Sequence, residues 1–167
     1  RYTDGFTGKA ILALKEAICA AEELGHTYIG SEHLLLGLLE EGSNAAAAML
    51  AAQHITAQRV RNALVELVGR GIPAQVQEDC LTPALSEIMQ QAKAFSKEDG
   101  RSLAGTEHLL RSILRTPCCT AVAILKKLGV SLNQLGAVSR QETSYPNGEQ
   151  SGFQRKHCRT SFSMGSG

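Results

Sequence analysis

Residues 30–39 read GSEHLLLGLL and residues 105–114 read GTEHLLRSIL. Each phrase sets a glycine, a hydroxyl residue, a glutamate and a histidine directly ahead of an apolar run. The correspondence extends outward without a gap. A shift of 75 positions pairs Phe6 with Leu81, Thr7 with Thr82, Ala17 with Ala92, Glu23 with Glu98, Gly25 with Gly100, Glu32 with Glu107, His33 with His108, Ala46 with Ala121 and Leu50 with Leu125, and it holds as far as Val60 and Leu135. The matched positions are caps, turn glycines and apolar stripes, the residues a fold needs. The chain is therefore an internal repeat of about 60 to 65 residues.

Each copy is punctuated as four helices. Thr7 and Thr82 are N-cap candidates, the second followed by Pro83 at the favoured first helical position. From them run Gly8 to Leu24 and Pro83 to Asp99, closed by Gly25 and Gly100, which suit a left-handed C-terminal turn. Ala10, Ala13, Leu14, Ala17 and Ala20 trace one helical face, as do Leu85, Ile88, Met89, Ala92 and Phe95. At the second helix, Ser31 and Thr106 can accept from an exposed backbone N–H. Glu32 and Glu107 occupy the first turn, where the helix dipole favours negative charge. Leu34, Leu35, Leu38 and Leu39, matched by Leu109, Leu110, Ile113 and Leu114, form the buried stripe behind them. A third helix spans roughly Asn44 to Gln53, with its counterpart near Thr120 to Leu128. A fourth runs from Ala57 to Val68 after the Thr56 cap, with its counterpart after Ser131. No stretch has the alternating β-branched pattern of a strand, so the class is all-α with eight helices.

The organisation is one body over residues 1–140, with repeat one at about 6–69 and repeat two at about 81–139. Residues 141–167, poor in apolar periodicity and rich in Gly, Ser and Thr, read as a flexible linker or tail. A single body of this size buries roughly 70% of its unfolded surface, enough for a core without staples. The 17 basic and 16 acidic side chains are intermixed, so no broad field is available to hold nucleic acid or an anionic membrane. No apolar run is long enough to span a bilayer. Five cysteines without a CxxC, with Cys19 inside an alanine-rich helical pattern, suggest reduced thiols and an intracellular compartment. The chain begins at Arg1 rather than Met, as a piece of a longer protein would.

The stretch FTGKAILALKEAICAAEELGHTYIGSEHLLLGLLEEG, followed by LTPALSEIMQQA and GTEHLL, resembles the Clp N-terminal domain of AAA+ protein unfoldases, in wording the ClpC type. The likeness runs from about Phe6 to Val138. It implies a pseudo-twofold pair of four-helix repeats mounted ahead of an ATPase ring, which receives adaptor proteins and substrate proteins. It implies a cytoplasmic bacterial protein or one of the plastid stroma. In the ClpC type the matching glutamate and cap threonine belong to a pocket for phosphorylated arginine, so Thr7, Glu32, Thr82 and Glu107 become candidate binding residues. The carboxylate would pair with the guanidinium, and the helix-start N–H groups would hold the phosphate. Two departures stand out. Gly5 replaces a basic residue usual in the family, and RTPCCTAVAIL replaces the EEGSNAAAAML connection of copy one.

Other chemistries fit less well. There is no GxxxxGK[ST] loop for ATP, so an ATPase engine would lie outside this chain, and the chain reads as a non-enzyme without a cofactor. The glutamate and histidine of each phrase are adjacent rather than one turn apart and neither copy spells HExxH, so metal binding is disfavoured. Cys118 and Cys119 lie in a turn with no base nearby in sequence to activate a thiol. The alternative to an unfoldase module is a free-standing regulator or adaptor that borrows the fold. The common structural role of a helix-start glutamate also remains open for Glu32 and Glu107.

Overall fold

The computed structural model describes residues 1–141 and contains eight helices: α1 (Gly8–Leu24), α2 (Ser31–Glu41), α3 (Ala45–Ala51), α4 (Ala57–Val68), α5 (Pro83–Glu98), α6 (Thr106–Leu114), α7 (Thr120–Lys127) and α8 (Leu132–Gln141). The linker or tail expected from residue 141 lies, beyond Gln141, outside the described residues.

Helix α1 starts where Thr7 Oγ1 accepts the Ala10 N–H at 3.2 Å and ends at Gly25, whose φ of 73° is the left-handed turn its sequence suggests. Its buried face is almost all alanine: Ala10, Ala13, Ala17, Ala20 and Ala21, with Leu14 and Leu24. That thin face lets α2 approach so closely that a Cβ on Gly37 would lie 2.3 Å from the Ala13 carbonyl oxygen and 2.7 Å from the Ala17 nitrogen. In repeat two the corresponding face carries Leu85, Ile88 and Met89, and Ser96 rather than Phe95 is buried there. Phe95 stays half-buried because the guanidinium groups of Arg111 and Arg115 cover its ring at 5.2 and 5.6 Å.

The two repeats share one core. Helix α2 packs on α7 as α6 packs on α3, and α4 meets α7 as α8 meets α3. Buried apolar side chains from both copies form a single cluster. The chain crosses between copies in two single-residue parallel bridges, Phe6 with Ala104 and Ile29 with Leu81. The 75-residue shift converts one bridge into the other, so the repeats are related as a pseudo-twofold pair.

The hydroxyls of the duplicated phrase serve this pairing rather than their own helices. Gly30 and Gly105 are the N-cap residues. Ser31 Oγ accepts from the N–H of Ala121 in α7 at 3.0 Å, and Thr106 Oγ1 accepts from Ala46 in α3 at 3.3 Å. Each hydroxyl thus caps the third helix of the opposite repeat. All four residues are buried, so removal of the acceptor strands an N–H away from water. The double change Ser31→Ala with Thr106→Ala should cost about 2 to 6 kcal/mol in denaturant unfolding, at about 1 to 3 kcal/mol per stranded group. A loss below about 0.5 kcal/mol would show that the hydroxyls are incidental.

Cys19 departs from expectation. It is disulfide-bonded, whereas Cys80, Cys118 and Cys119 are free. The helical pattern placed it among small core residues, but it sits off the buried stripe of α1, only half-buried, beside Glu16, Glu23, Glu40 and Arg61. A sulfur on that polar flank is not sequestered in the core. No single helix among the described residues is long and apolar enough to cross a membrane.

Candidate functional site

Each G[ST]EH phrase divides four tasks among four residues. The histidine closes its own helix start: His33 Nδ1 accepts the Gly30 N–H at 2.9 Å, and His108 Nδ1 accepts that of Gly105 at 3.0 Å. The hydroxyl reaches the other repeat. The glutamate folds back over the helix start, so that a Cβ on Gly30 would lie 2.5 Å from Glu32 Oε1 and one on Gly105 would lie 2.6 Å from Glu107 Oε1. Glycine is needed there for space, since φ at both positions is ordinary extended backbone.

The far side of each ring differs between copies. Because Nδ1 of His33 accepts, its proton is on Nε2 and is donated to His26 Nδ1 at 2.8 Å. His26 in turn donates from Nε2 to the Gly69 carbonyl at 2.8 Å. Burial, with His26 alongside, pushes the His33 pKa down to about 3. Tyr28 stacks on His26 at 5.6 Å and meets His33 edge-on at 5.3 Å. In repeat two, His108 Nε2 donates to Asp99 Oδ2 at 2.8 Å, and Arg111 donates to the same oxygen at 3.2 Å. Burial alone would raise the Asp99 carboxyl, but the His108 hydrogen bond and the Arg111 charge outweigh it and hold the group below the usual carboxylate range. Both nitrogens of His33 and of His108 are thus committed to hydrogen bonds. Among the described residues, no cluster of His, Cys, Asp and Glu has metal-ligand geometry.

Thr7 and Glu32 belong to the same copy but lie far apart. Helix α1, with 17 residues, is about 25 Å long at 1.5 Å per residue. Thr7 begins it, and Glu32 follows the turn at its other end. The bridges bring together residues of opposite copies instead. The Thr7 N–H donates to the Ala104 carbonyl at 2.9 Å, three residues before Glu107, and the Thr82 N–H donates to the Ile29 carbonyl at 2.9 Å, three residues before Glu32. The backbone contacts therefore group the four candidates across the repeats, Thr7 with the Glu107 segment and Thr82 with the Glu32 segment. Each sets the start of a first helix beside the start of the other repeat's second helix.

The two carboxylates are equally buried, each 4% exposed. Burial first, and then the charge of the nearby Glu32, push the Tyr28 phenol up to about 12. Glu107 has no hydrogen-bond donor among the described residues. His108 Nδ1 lies 4.0 Å from it, but that nitrogen accepts from Gly105 and has no proton to give. Leu103, the counterpart of Tyr28, is 46% exposed and offers nothing polar.

The comparisons with known proteins agree with this architecture. The Clp repeat N-terminal domain family matches residues 5–102 and again 80–161. This chain belongs to that family. Over 134 residues the Clp N-domain is 34% identical to the negative regulator of genetic competence ClpC/MecB of Bacillus subtilis, covering 80% of this chain and 16% of that protein. Over 130 residues it is 32% identical to the chloroplastic chaperone protein ClpC1 of Oryza sativa subsp. japonica, covering 78% and 14%. The chain thus spans about a sixth of such relatives, which are bacterial and chloroplast proteins. In fold it is similar to the N-terminal domain of the chaperone ClpD from Arabidopsis thaliana, with a TM-score of 0.71 at 22% identity over 83% of this chain and 97% of that one. The N-domain of ClpV from Vibrio cholerae gives 0.66 at 17% identity over 86% and 87%.

Within this Clp N-domain the unusual connection into α7 has a visible consequence. Asn44 caps α3 through the Ala47 N–H at 2.7 Å and ties to Glu41 at 2.8 Å, whereas Cys119 at the same place in α7 makes no side-chain cap. Sequence reasoning missed Tyr28 and Lys93. Lys93 Nζ lies 5.3 Å over the Phe6 ring, with its stem beside Gly5. Both residues break the repeat, facing Leu103 and Ile18 in the 75-residue register. That break is the signal that could have found them.

Proposed function

We propose that this chain is the receiving module of a Clp-type unfoldase, binding substrate and adaptor proteins ahead of an ATPase ring, and that its cross-repeat sites recognise phosphorylated arginine. The observation that carries the reading is Glu107: a buried carboxylate with no hydrogen-bond donor, held three residues from the backbone contact that fixes the start of α1. A largely buried carboxylate without a protein donor suits a cationic partner. Beside it, Thr7 takes the N–H groups of Ala10 and Ile11, and the Gly8 N–H has no acceptor within the helix, so the positive end of α1 faces outward for an anion. A phosphorylated guanidinium carries both charges on one group. No step of this role requires bond chemistry, so the chain acts by binding.

Calorimetry with a peptide bearing one phosphoarginine tests it. A charge-assisted contact is worth about 1.5 to 3 kcal/mol, or about tenfold to a hundredfold in Kd. Glu32→Ala with Glu107→Ala should weaken binding by at least that factor. Folding should survive, because each helix-start charge contributes only about 0.3 to 1 kcal/mol. Equal binding by the parent and the double variant would return both glutamates to a capping role.

A further inference from the structure

The bond made by Cys19 reaches beyond the helical body. Cys19 is disulfide-bonded, and Cys80, Cys118 and Cys119 are free. The sequence holds five cysteines. The count leaves Cys158, which lies outside the described residues, 17 positions after Gln141. Chain length permits the pairing. An extended stretch of that length spans about 55 Å, whereas a body of about 140 residues is roughly 40 Å across.

Charge selects the same partner. Cys19 lies in a recess of the α1 flank lined by Glu16, Glu23, Glu40 and Arg61. One guanidinium there faces three carboxylates, and it is held by two of them, Glu40 at 2.9 Å and Glu23 at 3.3 Å. The flank is acidic on balance. Cys158 sits in the run Arg155, Lys156, His157, Cys158, Arg159, whose charges are of the opposite sign and steer it towards that flank. Basic neighbours also favour the thiolate, the nucleophile of disulfide exchange. The other cysteines fit less well. Cys80 follows Glu78 and Asp79 and would bring like charge, and Cys119 is buried. In the 75-residue register Ala94, Gln91 and Arg115 stand for Cys19, Glu16 and Glu40. Repeat two therefore has neither the sulfur nor the acidic flank, and the fold itself does not call for them.

We infer that Cys19 and Cys158 form a redox latch, which ties the chain that follows α8 back onto the flank made by α1, α2 and α4. The oxidant class is a small-molecule disulfide such as oxidised glutathione. The Cys158 thiolate attacks one of its sulfurs and releases one glutathione thiolate. The Cys19 thiolate then attacks the mixed disulfide at the Cys158 sulfur and releases the second. Two protein thiols become one disulfide, and one glutathione disulfide becomes two thiols. A dithiol reductant runs the exchange backwards. Closed, the latch makes the chain beyond Cys158 depart from the α1 flank; open, it departs from the end of α8. The latch is independent of the phosphoarginine reading.

The test equilibrates the whole chain in glutathione buffers of increasing oxidised fraction, alkylates the remaining thiols and maps the non-reduced tryptic peptides by mass spectrometry. The expected product joins peptide 16–59 to peptide 157–159, with Cys80, Cys118 and Cys119 alkylated, and it disappears after dithiothreitol. Cys158→Ser should leave Cys19 alkylated in every buffer. Reduction should lower the melting temperature of the parent by roughly 5 °C, because the crosslink restricts the unfolded chain, and should not move that of Cys158→Ser. Arg155→Glu with Arg159→Glu should slow oxidation about tenfold, and raised salt should slow the parent in the same direction. Alkylated Cys19 in the oxidised parent overturns the latch, as does a bond from Cys19 to Cys80 or Cys118, or a covalent dimer. An unchanged rate in the double charge variant overturns the steering by the acidic flank.

Discussion

Gly37→Ala should lower the stability of this domain by about 3 kcal/mol, a large effect for one methyl group. The added Cβ would lie 2.3 Å from the Ala13 oxygen, 2.7 Å from the Ala17 nitrogen and 3.1 Å from the Ala17 Cα. All three are backbone atoms of α1, so no side chain can swing aside. The helices must separate by about an ångström, loosening the alanine face along their length. Overpacking of this kind costs about 1 to 3 kcal/mol and occasionally more, and backbone obstruction places Gly37 at the upper end. The corresponding fall in melting temperature is roughly 10 °C. Gly8→Ala is the control: nothing lies within 4 Å of its Cβ, and it should be neutral or slightly stabilising. Repeat two explains why the restriction is local. Ser112 occupies the place of Gly37 and donates to the Ile88 carbonyl at 2.7 Å, across a face built of larger side chains. A Gly37→Ala protein that melts within about 2 °C of the parent would mean that α1 and α2 are not tightly wedged.

The same pair of positions shows which parts of the structure a single sequence carries. Helical periodicity, caps and terminal glycines are local, and they place α1 at Gly8–Leu24 and α4 at Ala57–Val68 residue for residue. The duplicated phrase marks Glu32 and Glu107 as special before any coordinate is known. What the sequence does not carry is partnership across the twofold. A serine at a helix start reads as a cap for the helix it begins, because that is the only helix in the window. Its actual partner, Ala121, lies 90 positions away. The same limit hides the pairing of Thr7 with the Glu107 region. Cys19 illustrates a different failure. Its position in an alanine-rich helix was legible, but which side of that helix faces polar neighbours depends on Arg61 and Glu40, contributed by two other helices.

Acid should destabilise the domain well before its carboxylates protonate, and His33 is the reason. Its ring is fully buried. One nitrogen accepts from Gly30, and the other donates to His26, which donates onward to Gly69. A proton added at Nδ1 would set an N–H against the Gly30 N–H, and rotation of the ring would break the link to His26. Accordingly its pKa in the folded protein is pushed down to about 3, from 6.5 for a free histidine. Between these values the unfolded chain binds a proton that the folded chain refuses. Stability therefore rises with pH across this interval, is complete above about pH 6.5, and falls as the medium is acidified. One proton corresponds to about 1.4 kcal/mol per pH unit, so urea unfolding should show a loss of about 2 to 3 kcal/mol between pH 7 and pH 4.5. Asp99, held low by His108 and Arg111, acts in the same direction, but only when the pH approaches the ordinary carboxylate range. The upper part of the slope therefore belongs to histidine. His33→Gln should be less stable at pH 7, because the buried Gly30 and His26 groups lose their fitted partner. Its profile between pH 7 and pH 5 should be flatter than that of the parent. A parent protein equally stable at pH 7 and pH 5, or a His33→Gln protein with an undiminished slope, would show that the buried histidine pair does not control the acid response.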